Sequence, residues 1–361
     1  MRALVIAAVC GGCFSPTYQQ NLVCAQSDPQ CPPGQSCGLD NVCRSIKPQQ
    51  SIDAPPVITI DGSSPGIDAS GIDAGSDGSP QPLWSDESDA TLTVLNAIWG
   101  TPGAVFAVGA TANGGVIMSR GTGGVWQVAE QTSFTNEPRA IAGAGTGGTT
   151  VAWAGGSAGS LSQYSGGIGG SWALTGNVAA AISGMYLASA TVGAAVGPGP
   201  NAYILSPGPV PWVASSPPGS AGLNAVWIDP ANVVYAVGAA LTVIMRNPST
   251  GAWSDVLGGP TGTTENYRSI WGDGVTIYLG TDTRLLRLSA GAWSTVSGVP
   301  GCAGLDGASN TVWCVHANAI YRNGLVDFTV AGASFNAIRV VGTEVFAVGV
   351  NGAIWHRTSL D

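Results

Sequence analysis

Apolar and polar positions alternate in short runs along the later part of this chain, and many of the runs end in glycine. Residues 95–109 read LNAIWGTPGAVFAVG, and the phrase returns as LNAVWIDPANVVYAVG from Leu223 and as FNAIRVVGTEVFAVG from Phe335. A period of two over five or six residues, broken by Gly, Pro or Asp, predicts strands joined by tight turns. Weaker copies lie between these: RAIAGAG with VAWAGG, AAISGMY with VGAAVG, RSIWGDG with TIYLG, and AGLDGAS with TVWCVH, which brings the number to seven. Anchored on Ile98, Ile141, Ile182, Val226, Ile270, Leu305 and Ile338, the copies follow at steps of 43, 41, 44, 44, 35 and 33 residues.

A second series runs in phase with the first. Trp126, Trp172, Trp212, Trp253 and Trp293 each close a Gly-x-Trp-like phrase, and Phe328 takes that place in the sixth copy. Each copy thus predicts an inner strand, an alternating second strand, a third and a short fourth at the tryptophan. Four strands per period of about forty residues is the requirement of a propeller blade. The predicted fold is all-β, with seven blades filling residues 83–361.

Closure of the ring is legible at the two ends of the repeat region. The seventh copy stops at GAIWHRTSLD without a fourth strand, whereas LWSDES at Leu83 precedes the first inner strand and matches the fourth-strand phrase AWSDVL at Ala252. The segment from Leu83 is therefore expected to complete the last blade, which also removes an exposed strand edge. The uncharged run from Val178 to Gly197 has the length of a membrane span. Its Ala, Gly, Ser and Thr content and its blade register assign it to the first two strands of blade three.

The region before Leu83 differs in kind. MRALVIAAVCGGCF carries one cation, a short apolar run and small residues before a cysteine, the pattern of a bacterial lipoprotein signal over residues 1–12. Cysteine parity favours Cys13 over Cys10 as the lipidated residue, because Cys24, Cys31, Cys37 and Cys43 then form an even set and Cys302 with Cys314 another. A signal that is simply cleaved is the alternative. Residues 13–43 are cysteine-rich with few large apolar side chains, so disulfides among Cys24, Cys31, Cys37 and Cys43 are expected, and the spacings lack the C-x-x-C pairs of most zinc modules. Residues 44–82, rich in Pro, Gly, Ser and Asp, are expected to be a disordered tether.

The cysteine-rich stretch resembles the short CPPG…C…C modules that follow the lipid cysteine in surface lipoproteins of the myxobacterial type. The repeat region resembles the Trp-Gly/VFAVG propellers of such lipoproteins, and more distantly the propellers of photosystem assembly factors and BNR-repeat proteins. The resemblance implies a monomer held at the cell envelope, as an outer membrane lipoprotein, with a protein or glycan partner.

Composition narrows the chemistry. Charged residues make up 9%, the formal net charge is -9, and Lys47 is the one lysine, so the cationic footprint that nucleic acid requires is missing. His316 stands where glycine ends other second strands, and His356 lies in a third strand, so no shared metal site is expected and both read as structural. No Ser-His-acid motif surrounds either, and neither a catalytic residue nor a cofactor is predicted. Arg120, Arg246, Arg287, Arg322 and Arg357 recur near the ends of third strands and are expected to be solvated round the perimeter. Asp229, Asp273 and Asp306 follow inner strands, where two readings stand, facing the channel mouth or turn chemistry, and turn chemistry explains all three as well or better. Cys302 and Cys314 fall on neighbouring strands and are expected to form a disulfide within blade six.

Position in the copies picks out one surface. Asn96, Asn224 and Asn336 enter their inner strands at the same point, and Arg139 and Arg268 hold the equivalent place in two other blades. These side chains should converge at one mouth of the central channel, as candidate ligand-binding residues. Hydrogen bonding to the loops between blades is the other reading of the asparagines. The function expected is non-catalytic binding or scaffolding, the alternative a glycan hydrolase or lyase working at the channel mouth.

Overall fold

Seven four-stranded antiparallel sheets account for the repeats. The structure is a computed structural model that describes residues 35–37, 43–45, 83–132, 136–167, 169–208, 210–256, 265–308 and 310–360. The chain forms two units, Met1–Ser76 and Asp77–Asp361. In the first, Gln35–Cys37 pairs antiparallel with Cys43–Ser45, and the Cα atoms of Cys37 and Cys43 are register partners. The signal over 1–12, the lipidation of Cys13, the tether and the bonding of Cys24, Cys31, Cys37 and Cys43 lie outside the described residues. Among the described residues no helix is long and apolar enough to cross a membrane.

The second unit is a seven-bladed propeller. Its inner strands are Leu92–Thr101, Pro138–Ala144, Gly184–Ser189, Leu223–Ile228, Tyr267–Gly272, Gly304–Ala308 and Phe335–Val341. Each packs beside the next, and the seventh packs beside the first. The run from Val178 to Gly197 supplies the inner and second strands of blade three, Gly184–Ser189 and Val192–Gly197, as expected. One anchor shifts, however: Met185 pairs with Ala195 as Ile98 pairs with Ala107. Ile182 precedes the strand, at the place Leu95 holds in blade one. The alanines before Ile182 give the apolar pattern no unique phase. In blade six, Leu325 and not Phe328 pairs with the arginine that ends the third strand.

Blade seven is closed from the other end of the domain. Trp84–Asp86 pairs antiparallel with Ile354–Arg357, with Trp84 opposite Arg357, Ser85 opposite His356 and Asp86 opposite Trp355. Side chains reinforce this strand. Trp84 donates its indole N–H to Asp327 of blade six at 2.7 Å and stacks on Phe328. Glu87 accepts from Arg120 at 2.7 Å, from the Trp126 indole at 2.8 Å, and lies 2.9 Å from Nδ1 of His356. His356 is also 2.9 Å from Glu344 through Nε2, and its ring is stacked on Phe346. Burial alone raises the Glu87 carboxyl, but the bonds from His356, Arg120 and Trp126 outweigh it and hold the pKa at about 2.

The perimeter arginines are therefore not uniformly solvated. Arg357 is 1% exposed, paired with Asp327 at 2.9 Å and lying over the Trp313 ring, and Arg120 is spent on Glu87. Arg287 is exposed as expected. Aromatic faces from second strands, Trp313 and Phe346, and the carboxylates of Asp327 and Glu87 supply the partners that make burial of a guanidinium tolerable.

The core lies between blades. Leu95 and Met118 of blade one pack with Phe346 and Ile354 of blade seven, while Phe106 and Val108 pack with Ile141 and Tyr164 of blade two. Burying each such side chain contributes about 1.5–3 kcal/mol. The recurrent Trp-Gly has a steric cause: the Trp99 ring occupies the space beside Gly143, and Trp227 and Trp271 do the same at Gly272 and Gly307 of their next blades. The glycine of VFAVG has another. A β-carbon on Gly109, Gly238 or Gly349 would strike a backbone carbonyl at the start of its own inner strand. His316 replaces that glycine in blade six, and Gly301 provides the space instead. Cys302 and Cys314, both buried, form the expected disulfide.

Candidate binding surface in the central channel

Five inner strands begin with the same irregularity. Register shifts between Leu95 and Ala97, Pro138 and Ala140, Leu223 and Ala225, Tyr267 and Ser269, and Phe335 and Ala337 leave one residue unpaired in each. Those residues are Asn96, Arg139, Asn224, Arg268 and Asn336, the five candidates. A bulge re-aims the side chain it carries, which is why these face the mouth and the next blade instead of a sheet interior. Ser183 and Ala303 occupy the same place in blades three and six. All line a channel cavity of about 210 Å³.

The asparagines are structurally engaged. Nδ2 of Asn224 donates to the Tyr267 carbonyl at 2.7 Å and that of Asn336 to the Leu95 carbonyl at 2.9 Å. Asn96 donates to Glu137 at 3.0 Å and to the Pro138 carbonyl at 3.3 Å. Each amide thus joins one blade to the inner-strand residue just before the bulge of the next. The arginines remain half exposed. Arg268 pairs with Asp282 at 2.6 Å, and Arg139 reaches Glu137 at 3.6 Å. Burial acts to raise the Asp282 carboxyl, but bonds from Arg268 and Asn266 leave it below its ordinary value.

A second ring lies three residues further along the inner strands. Trp99, Trp227 and Trp271 hold it in three blades and Tyr186 in blade three. Asp306 and Arg339 hold it in blades six and seven, so of the two readings of Asp306 the turn role is corrected and the place in the channel lining stands. It lies within the inner strand, 5% exposed, accepting the Val340 N–H at 2.7 Å and facing Arg339 at 3.5 Å. Burial raises its pKa, against the pull of Arg339 and of the N–H groups of Val340 and Gly307. Burial also raises the Tyr186 phenol, and the charges of Arg339 and Asp306 act on it in opposite senses. Asp229 and Asp273 cap turns, accepting N–H groups of Ala231 and Val233 and of Val275 and Thr276.

Sequence reasoning missed Arg339 and Tyr186. The signal was present: in the aligned copies the residue after the anchor is Trp in three blades and charged in two adjacent ones. Among the described residues no group of three or more His, Cys, Asp or Glu is arranged to hold a metal ion.

No protein-family model matches the chain, and no curated protein matches it. Solved structures do. YCF48 from Cyanidioschyzon merolae superposes with a TM-score of 0.59 at 15% identity, covering 76% of this chain and 98% of that one. YCF48 bound to D1 peptide gives 0.62 at 14%, over 77% and 97%. A catalytically inactive virginiamycin B lyase from Staphylococcus aureus, with quinupristin, gives 0.62 at 12%, over 76% and 98%. At these identities the shared property is the fold, a propeller distantly similar to those of photosystem assembly factors.

Proposed function

We propose that the protein is a non-catalytic binding or scaffolding module, a monomer attached to the outer membrane through lipidated Cys13 and displayed at the cell envelope to hold a protein or glycan partner. The reading rests on one observation above all, the bulged residues at the channel mouth. The asparagines are committed to holding neighbouring blades together, and Arg139 and Arg268 stand half exposed three blades apart on that fixed rim. A rim of this kind is preorganised, so a partner loses little to ordering the site when it docks. YCF48 in complex with D1 peptide is an instance of a propeller of this shape receiving a polypeptide. The lipoprotein resemblance of the amino-terminal residues supports the anchor.

The test is capture of partners by the full chain, alongside a double variant, Arg139→Ala with Arg268→Ala. Saturable binding of a polypeptide or glycan that the double variant weakens tenfold or more is expected. Turnover of a bound polysaccharide would overturn the non-catalytic reading. Replacing Cys13 by Ala is expected to release the protein from membranes, and unchanged fractionation would contradict the anchor.

A further inference from the structure

The second ring of the channel holds one guanidinium whose donors are unspent. Arg339 is 28% exposed at its side chain, and its single charged neighbour among the described residues is the Asp306 carboxylate at 3.5 Å, beyond a good hydrogen bond. Its Nε is buried without a partner. The contrast with Arg357 is sharp, since that side chain donates to Ser359 at 2.6 Å and to Asp327 at 2.9 Å.

Arg339 stands apart from the packing seen at this position elsewhere. Trp99, Trp227 and Trp271 each fill the space beside a glycine of the next blade, while blade two carries Ala142 and blade three Tyr186. Blades six and seven carry charges there side by side, Asp306 and Arg339. Five copies place an uncharged side chain at this point, so the two adjacent charges mark a place where something other than packing selects the residue. The Asp306 carboxylate is held by the Val340 N–H and so keeps its position whether or not Arg339 turns to a ligand.

The cavity these residues line is small, about 210 Å³, below the roughly 300–1,000 Å³ of sites for drug-sized molecules. It admits a terminal group and not the body of a partner. Tyr186 and Trp271 give it aromatic walls, and Ala97, Ala140, Gly184 and Ala337 keep it open.

We infer that the channel binds a carboxylate, with the Arg339 guanidinium as its anchor, Tyr186 and Trp271 as walls, and Asp306 as the internal competitor for the same cation. Guanidinium and carboxylate match in plane and in donor spacing, which is why arginine serves where a carboxylate is to be recognised. The inference rests on the channel being the binding surface, and it names the chemical group received there.

Calorimetric titration of the full chain with D-galacturonate, N-acetylglycine and D-galactose tests it. At least one of the two carboxylates is expected to bind, with D-galactose at least tenfold weaker, and the arm that binds identifies a sugar acid or a peptide terminus as the source. Arg339→Met is expected to weaken binding tenfold or more, Arg339→Lys to restore part of it, and Asp306→Asn to strengthen it severalfold by removing the competing charge. Equal binding of D-galactose, or an unchanged affinity in Arg339→Met, overturns the inference. Should Arg339→Met fail to fold, the order of wild type and Asp306→Asn still decides. Absence of carboxylate binding with partner capture intact sinks the carboxylate site alone. Loss of capture in the Arg139 and Arg268 double variant, with carboxylate binding kept within threefold, separates the two readings.

Discussion

The indole of Trp99 lies in the space that a side chain on Gly143 would need: a β-carbon there would stand 2.7 Å from three atoms of the ring. Trp99 belongs to blade one and Gly143 to blade two, so the contact fixes how closely two blades approach. The same contact recurs from Trp227 to Gly272 and from Trp271 to Gly307. A motif that looks local in the chain is a rule of assembly between successive copies.

This contact yields the first prediction. Gly143→Ala forces the Trp99 ring or the inner strand to move and is expected to destabilise the protein by about 1–3 kcal/mol, the usual cost of overpacking. A β-carbon on Gly121 meets no atom within 4 Å, so Gly121→Ala is expected to stay within about 0.5 kcal/mol of wild type. Urea midpoints measure both. Trp99→Leu in the Gly143→Ala background is expected to recover part of the loss, because the two sites are coupled through direct contact.

Glu87 makes the ring closure depend on pH. Its carboxyl sits at about 2 in the folded protein against an ordinary value of 4.5, so between these values the unfolded chain binds more protons. Stability therefore rises with pH across that window, is fully present above about 4.5, and is lost as pH falls toward 2. The contribution is of the order of 3 kcal/mol. Glu87→Gln is expected to flatten the dependence of the urea midpoint between pH 5 and pH 2, roughly the window of the shift. An unchanged slope in that variant would place the acid sensitivity elsewhere.

Cys302 and Cys314 join the segment just before the blade six inner strand to the second strand of that blade. Closing a loop this short restricts the unfolded chain, and Cys302→Ala with Cys314→Ala is expected to lower stability by about 2–3 kcal/mol. Reductant is expected to lower the unfolding midpoint of the wild type and to leave that of the double variant in place.

The seven copies, the closure by the segment from Leu83 and the disulfide were all readable before the structure, because each follows from short-range alternation and from a repeat that must bury its faces against a neighbour. The convergence of Asn96, Arg139, Asn224, Arg268 and Asn336 was readable as a shared position. The bulge that produces it was not, since a register shift depends on the partner strand. Ile182 illustrates the limit of periodicity: in Val178–Ile182, small apolar residues fit more than one phase, and the carbonyl contact at Gly197 decides. Arg357 shows another. Its burial depends on Trp313 and Asp327, which reach it from blade six across the closure. Arg339 and Asp306 stood in plain view as breaks in the tryptophan position, but their pairing needs two adjacent blades in register.

The account's central claim is that the channel mouth, and not the outer rim, meets the partner. Site-specific photo-crosslinking measures this directly, with a benzophenone side chain placed at Ser183 on the mouth or at Leu325 on the rim, where it is 75% exposed. Crosslinks to a captured partner from position 183, with none from 325, are the predicted result. Crosslinks from 325 and none from 183 would contradict the account.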